Sequence, residues 1–282
     1  MKIARVFPTK TSMSPADRDA YFGEPELFMP EYDEIHISVA FTWDIDRAKW
    51  LARQWEFVAS VKIGGPAMNG EGNGFVPGQY LRHDVTITSR GCPNRCPFCF
   101  VNGPLREIDP VPEGNIIQDN NLLACSRSHI DKVFQMLSRQ HSIVFAGGLE
   151  ADKLDYNIVE RLRGLRIKEV WTAYDRKDDL NDLMKASYLL RKYFKRVKMR
   201  CYVLIGYEDD TTEKAEIRLM QAFNLGFLPF AMLYRNREGE YPKPEREWRH
   251  FQRTWTRPAA IMTKAKELEG ESLTYDDDYY SI

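Results

Sequence analysis

The chain has 282 residues, 43% of them hydrophobic and 29% charged, and a formal net charge of -1. That length can bury one large core or two smaller ones, and so even a charge excludes a general polyanion binder or a protein held to membranes by charge. Met1 to Val6 are too short and too charged for a secretory leader, and no apolar run reaches membrane length; five cysteines in so long a chain point to metal or redox chemistry in a reducing cytoplasm, not to a disulfide framework.

Residues 3–7 (IARVF) and 34–41 (EIHISVAF) are rich in β-branched and aromatic residues and predict strands. Asp44 is placed to cap a following helix on which Leu51, Trp55 and Val58 share one face. Residues 61–78, VKIGGPAMNGEGNGFVPG, predict a short strand and a glycine-rich loop. Residues 1–80 therefore read as a small, truncated Rossmann-like α/β unit, half of a doubly wound sheet.

From residue 81 to 235 a strand–helix unit recurs. Strands are expected at 84–89, 115–118, 142–148, 168–175, 201–206 and 228–235. Ser128 and Asp131 have capping-box spacing ahead of a helix with Ile130, Val133, Phe134 and Leu137 on one face. A helix around Ile158, Val159 and Leu162 follows. Later helices carry Leu183, Ala186, Leu190 and Phe194, then Ala215, Leu219 and Ala222. Six strands with crossover helices imply a parallel sheet, and right-handed crossovers curl such a sheet toward a barrel. Six units are too few to close one, so the expected fold is α/β, a partial (β/α)6 barrel after the small N-terminal unit. Its active face is expected at the C-terminal strand ends, where the cysteines, Gly147–Gly148, Tyr174–Asp175, Gly206 and Tyr234–Arg235 converge. In the extension, 236–282, Trp248, Phe251 and Trp255 are spaced as a helix face packed on that barrel. The arginines between them invite a nucleic-acid reading, but Glu238, Glu240, Glu245 and Glu247 offset their charge. The chain ends in acidic YDDDYYSI.

The stretch TSRGCPNRCPFCFVNG, 88–103, places Cys92, Cys96 and Cys99 within eight residues. Clustered thiolates suit zinc or an iron–sulfur cluster. Zinc sites usually draw on two ligand pairs, and no second C-x2-C exists; His83, Cys125 and His129 lie at no familiar finger spacing. A 4Fe-4S cluster held by three thiolates leaves one iron open, as a catalytic metal centre requires. Cys125 and Cys201 read as buried small side chains. Asp119, Asn120 and Asn121 either face substrate or form an Asn/Asp turn.

This C-x3-C-x2-C motif, with Phe98 before its last cysteine, resembles that of the radical S-adenosylmethionine (SAM) superfamily. The resemblance, over residues 84–235, implies a 4Fe-4S cluster on Cys92, Cys96 and Cys99 that chelates SAM and cleaves it reductively to a 5′-deoxyadenosyl radical. FAGGLE, 145–150, resembles the family's glycine motif, which implies SAM contacts at Gly147, Gly148 and Glu150. The same likeness implies ribose or carboxylate contacts at Tyr174 and Asp175. YVLIGYEDDT, 202–211, resembles the fifth-strand motif and implies adenine contacts at Ile205 and Gly206, although Glu208 and Asp209 stand where proline and glycine are usual. A flavodoxin- or ferredoxin-type donor is implied as electron source. The N-terminal unit resembles a truncated cobalamin-binding domain at VKIGGPA; DEIHISVA, around His36, lacks the D-x-H-x-x-G signature, so no cobalamin is expected. The resemblance leaves the substrate open, with a nucleoside or nucleic acid as one reading. The reading from a different class is a non-catalytic zinc or iron–sulfur binding module.

Overall fold

The computed structural model describes residues 1–68, 75–101 and 103–272. Part of the expected glycine-rich loop and the acidic terminus lie outside the described residues. In the N-terminal unit, β1 (Ile3–Val6), β2 (Ala20–Tyr21), β3 (Glu34–Ser38) and β4 (Ser60–Gly64) form a parallel sheet in the order β2-β1-β3-β4. Helix α1 (Ile45–Trp55) connects β3 to β4 and buries Leu51 and Trp55 in one cluster with Ile35 and Ile37. Asp44 makes no side-chain cap: it lies in a short 3-10 turn, its Oδ2 buried and unpartnered.

The second sheet contains β5 (Val85–Thr86), β8 (Ile116–Ile117), β9 (Ile143–Phe145), β10 (Ile167–Ala173), β11 (Met199–Ile205) and β12 (Leu228–Leu233). All its pairings are parallel, and its order, β12-β11-β10-β9-β8-β5, follows the chain. Between β5 and β8, β6 (Ser89–Arg90) and β7 (Arg106–Glu107) form a separate antiparallel ribbon. β5 and β12 are the two edges and do not pair, so this is an open, singly wound α/β sheet.

Helices α2 (Arg127–Ser138), α3 (Tyr156–Arg163), α4 (Leu180–Leu190) and α5 (Thr212–Asn224) form the crossovers. Right-handed crossovers in chain order put successive helices on one face. Along β11, Met199, Cys201, Val203 and Ile205 are fully buried in one cluster with Leu183, Ala186, Leu219 and Ala222. Ser126, two residues before the expected Ser128, caps α2 by accepting from the His129 amide at 3.2 Å. Helix α6 (Glu245–Thr254), its C-cap Trp255 and helix α7 (Pro258–Ser272) add Trp248, Trp255, Ile261 and Ala265 to the same core, with Phe251 packed against it, as the spacing of the three aromatic residues predicts. No described helix is long and apolar enough to cross a membrane.

The opposite face is different. Strand alternation places Trp171 and Ala173 of β10 beside Arg200 and Tyr202 of β11, and Tyr202 beside Phe230 of β12. Parallel sheets are normally covered on both faces. Here Ala173, on an interior strand, is exposed, as is Met232 of β12. This face is free of crossover helices and open to solvent at the C-terminal strand ends.

Candidate active site at the cysteine loop

The loop carrying the three thiols is tied at both ends. Ser89 pairs with Glu107 and Arg90 with Arg106, which closes residues 91–105 into one excursion. Gly91, at φ +87°, starts it, and a Cβ there would lie 2.2 Å from the Pro104 carbonyl oxygen, so only glycine fits. Asp119, just beyond β8, is buried and accepts from the Thr88 amide at 2.6 Å, the Thr88 hydroxyl at 2.5 Å and the Ser89 hydroxyl at 2.9 Å. Burial nonetheless pushes its pKa up, against the lowering effect of those donors. Asn120 Oδ1 accepts from the Gly91 amide at 3.1 Å. Asn121 Nδ2 donates to Glu150 Oε2 at 2.7 Å and to Cys92 Sγ at 3.4 Å. The three consecutive polar residues that read equally as a turn or as substrate contacts therefore hold the cysteine loop. Their position right after a strand is the signal the sequence offers for that role.

From that anchor the loop crosses the C-terminal strand ends. Cys92 is fastened near β8 and β9 through Asn121 and Glu150, and Asn94 also donates to Glu150. Cys96 is half-buried, and its thiol pKa is raised first by burial, then by Cys99, with Cys92 and Asp175 adding and Arg176 opposing. That places Cys96 near the end of β10. Phe98 packs edge-on against Tyr207, after β11, with centroids 5.7 Å apart, and Tyr207 meets Tyr234, after β12, at 4.8 Å. Phe100 also reaches Tyr234, at 6.3 Å, and the Arg237 guanidinium lies over it at 5.2 Å. Cys99 is exposed and accepts from the Val101 amide at 3.4 Å.

Three thiols on one loop are a donor set that either zinc or an iron–sulfur cluster could use. Two of the three sulfurs, Cys92 and Cys99, receive N–H groups, and both thiols lie near enough to Cys96 to add to the rise in its pKa. Among the described residues no three His, Cys, Asp or Glu side chains converge to hold one metal ion.

The other expected site residues divide. Glu150 joins the loop, as described. Asp175 is half-buried at the end of β10, accepts from the Leu204 amide at 3.2 Å, and is pushed up to about 6 by desolvation first and by Asp179 second. Gly206, at φ +75°, ends β11, and its amide donates to Asp210 at 2.8 Å; Asp210 is ion-paired with Arg218 at 2.9 Å. Gly147 answers a packing demand, since a Cβ there would lie 2.0 Å from the Asp119 carbonyl oxygen. Gly148, at φ +84°, would meet nothing within 4 Å, so it supplies backbone conformation. Two side chains do not come to the loop. Tyr174 is fully buried and donates its hydroxyl to Gln221 of α5 at 2.7 Å, and Ile205 is buried in the core on the helix-covered face.

Comparison with known proteins finds no match to this chain, either among protein-family models or among curated proteins.

Proposed function

We propose that this chain is a radical SAM enzyme. One observation carries the reading: a C-x3-C-x2-C loop lies across the C-terminal ends of a parallel sheet, at the open end of a face that no crossover helix covers. Cys92, Cys96 and Cys99 would hold a 4Fe-4S cluster, and SAM would lie along the strand ends at Gly147–Gly148, Asp175 and Gly206. When bound, the pair supplies one-electron cleavage of the sulfonium and a hydrogen-abstracting radical. The chain's own residues position and shield that chemistry. Asp119, Asn120 and Asn121 set the loop's height over the sheet, and Phe98 and Phe100 dock its far end on Tyr207 and Tyr234. Asp175, with a pKa of about 6, accepts a hydrogen bond when ionised and donates one when protonated. Curling of the six strands into a partial barrel would fold the helix-free face around a substrate. The reductant is a small one-electron protein donor of the flavodoxin or ferredoxin type.

Anaerobic loading with iron and sulfide, then reduction in the presence of SAM, is expected to give 5′-deoxyadenosine, and the Cys96→Ala variant is expected to give none. Protein with a full iron and sulfide complement that releases no SAM fragment would overturn the assignment. So would colourless protein that keeps stoichiometric zinc through iron loading, which is the outcome of the non-catalytic module.

A further inference from the structure

The helix-free face holds a buried cation that forms no close ion pair. Arg200, near the start of β11, is 7% exposed, and its Nε is buried with no hydrogen-bond partner. It takes part in none of the ion pairs formed among the described residues. Its guanidinium rests instead on the Trp171 ring, 4.7 Å from the centroid. Glu169 is the neighbouring carboxylate that favours the cation, but its Oε2 accepts the Trp171 indole N–H at 2.8 Å. With Glu169 shared with the Trp171 indole and its own Nε unbonded, the Arg200 guanidinium keeps hydrogen-bonding capacity for an added anion.

Aromatic rings surround that cation and run from it toward the cysteine loop. Tyr202 stacks on Trp171 with centroids 4.2 Å apart and planes 23° from parallel, and its hydroxyl is fixed by donation to Ala146 O at 2.9 Å. Phe230 meets both rings edge-on, at 5.8 and 6.0 Å. On β8, Ile116 pairs with Val144 and Val144's neighbour across the sheet is Glu169, so Gln118, two residues beyond Ile116, belongs to this face. Its Oε1 is a second buried atom without a partner. Arg200 and Leu204, whose amide holds Asp175, are four residues apart, roughly 13 Å along the strand.

We infer that this face binds an elongated organic anion, with a carboxylate or phosphate on Arg200, a planar or apolar body along Tyr202 and Phe230, and its far end below the cysteine loop. It names a substrate class for the enzyme proposed above and rests on that reading for the far end alone. Arginine suits both acids, because its planar fork offers paired N–H donors to either.

Calorimetric titration of the full chain with 6-phenylhexanoate, 6-phenylhexyl phosphate and the uncharged 6-phenylhexanamide tests the anion site. At least one acid is expected to bind tenfold or more tightly than the amide, and the stronger of the two identifies the acid group. Arg200→Met is expected to erase that preference while its ligand-free melting temperature holds or rises, because a buried unpaired charge has been removed. Arg200→Lys, which keeps charge but loses the fork, should keep part of the preference and serves if the methionine variant does not fold. Equal binding of acids and amide, a preference that survives loss of the charge, or a preference lost together with a fall in melting temperature would each overturn the site. The titration needs neither iron nor SAM, so its failure and failure of the radical reading are separable.

Discussion

Asp175 ends β10 with its carboxyl held against the Leu204 amide, yet desolvation outweighs that hydrogen bond and raises the pKa from 3.8 to about 6. A carboxyl whose folded pKa lies above its unfolded one favours folding while protonated, and that contribution is lost as pH rises through the folded value. Asp175→Asn should therefore stabilise the ligand-free protein at pH 8, by at most about 3 kcal/mol for a shift of roughly two units. The gain should fade below pH 6 and vanish near pH 4. Urea unfolding at pH 8, 6 and 4 reads this directly, and a gap that does not change with pH would mean the carboxyl is well solvated. The adjacent glycines make a second residue-scale contrast. Gly147→Ala drives a methyl into the Asp119 carbonyl and should cost about 3 kcal/mol or more, whereas Gly148→Ala meets open space and should cost only about 1–2 kcal/mol of left-handed backbone. Melting temperatures of the two variants should separate in that order. The glycine pair is legible in the sequence, but its division of labour is not, because it depends on where a neighbouring strand carries Asp119.

At the level of elements, β-branched runs and helix stripes make the long strands β10, β11 and β12 and the buried faces of α4 and α5 legible in the sequence itself. What they do not supply is parity. A shift of one residue turns a strand side chain to the other face, and Tyr174 and Asp175, read together as strand-end contacts, point to opposite sides of the sheet. The short β2, β6 and β7 escape a reading by pattern because two residues carry no alternation. The β6–β7 ribbon nevertheless determines how the cysteine loop stands, and Asp119 is its clamp. Asp119→Ala removes the acceptor of three hydrogen bonds and leaves the Thr88 amide and the Ser89 hydroxyl without it in a buried site, while the Thr88 hydroxyl keeps His129 Nε2 at 3.3 Å. Orphaned donors of this kind cost about 1–3 kcal/mol. The variant should keep its far-UV circular dichroism, melt earlier, and retain less iron per chain after anaerobic loading. Full iron retention would detach the clamp from the cluster site.

Across the whole molecule, the N-terminal unit and the larger sheet have separate hydrophobic cores, and units so divided move relative to each other unless a contact holds them. One such contact involves residues 235–241, and another is the hydrogen bond from the Arg82 amide to the Met13 carbonyl oxygen at 3.0 Å. Trp43, just before α1, lies against Gly239, where an added Cβ would come within 2.7 Å of the Trp43 side chain, and Arg235 lies over both Trp43 and Tyr241, at 5.3 and 4.3 Å. Thr42 donates its hydroxyl to the Arg237 carbonyl oxygen at 2.5 Å. Arg235, read from sequence as a residue of the active face, is thus engaged in joining the two units. The same segment reaches the cysteine loop, since the Arg237 guanidinium covers Phe100. Residues 235–241 thus touch both the N-terminal unit and the cysteine loop. Trp43→Ala removes the ring on which Arg235 stacks and leaves both cores intact. Scanning calorimetry should then split into an earlier transition for the N-terminal unit and a later one for the large sheet. Limited proteolysis should cut faster in the connecting residues 75–84, while iron content after anaerobic loading stays at the wild-type level, because no loop anchor has been touched. A single unshifted transition in the variant would place the coupling elsewhere, and a loss of iron would show that the loop depends on the N-terminal unit for its position.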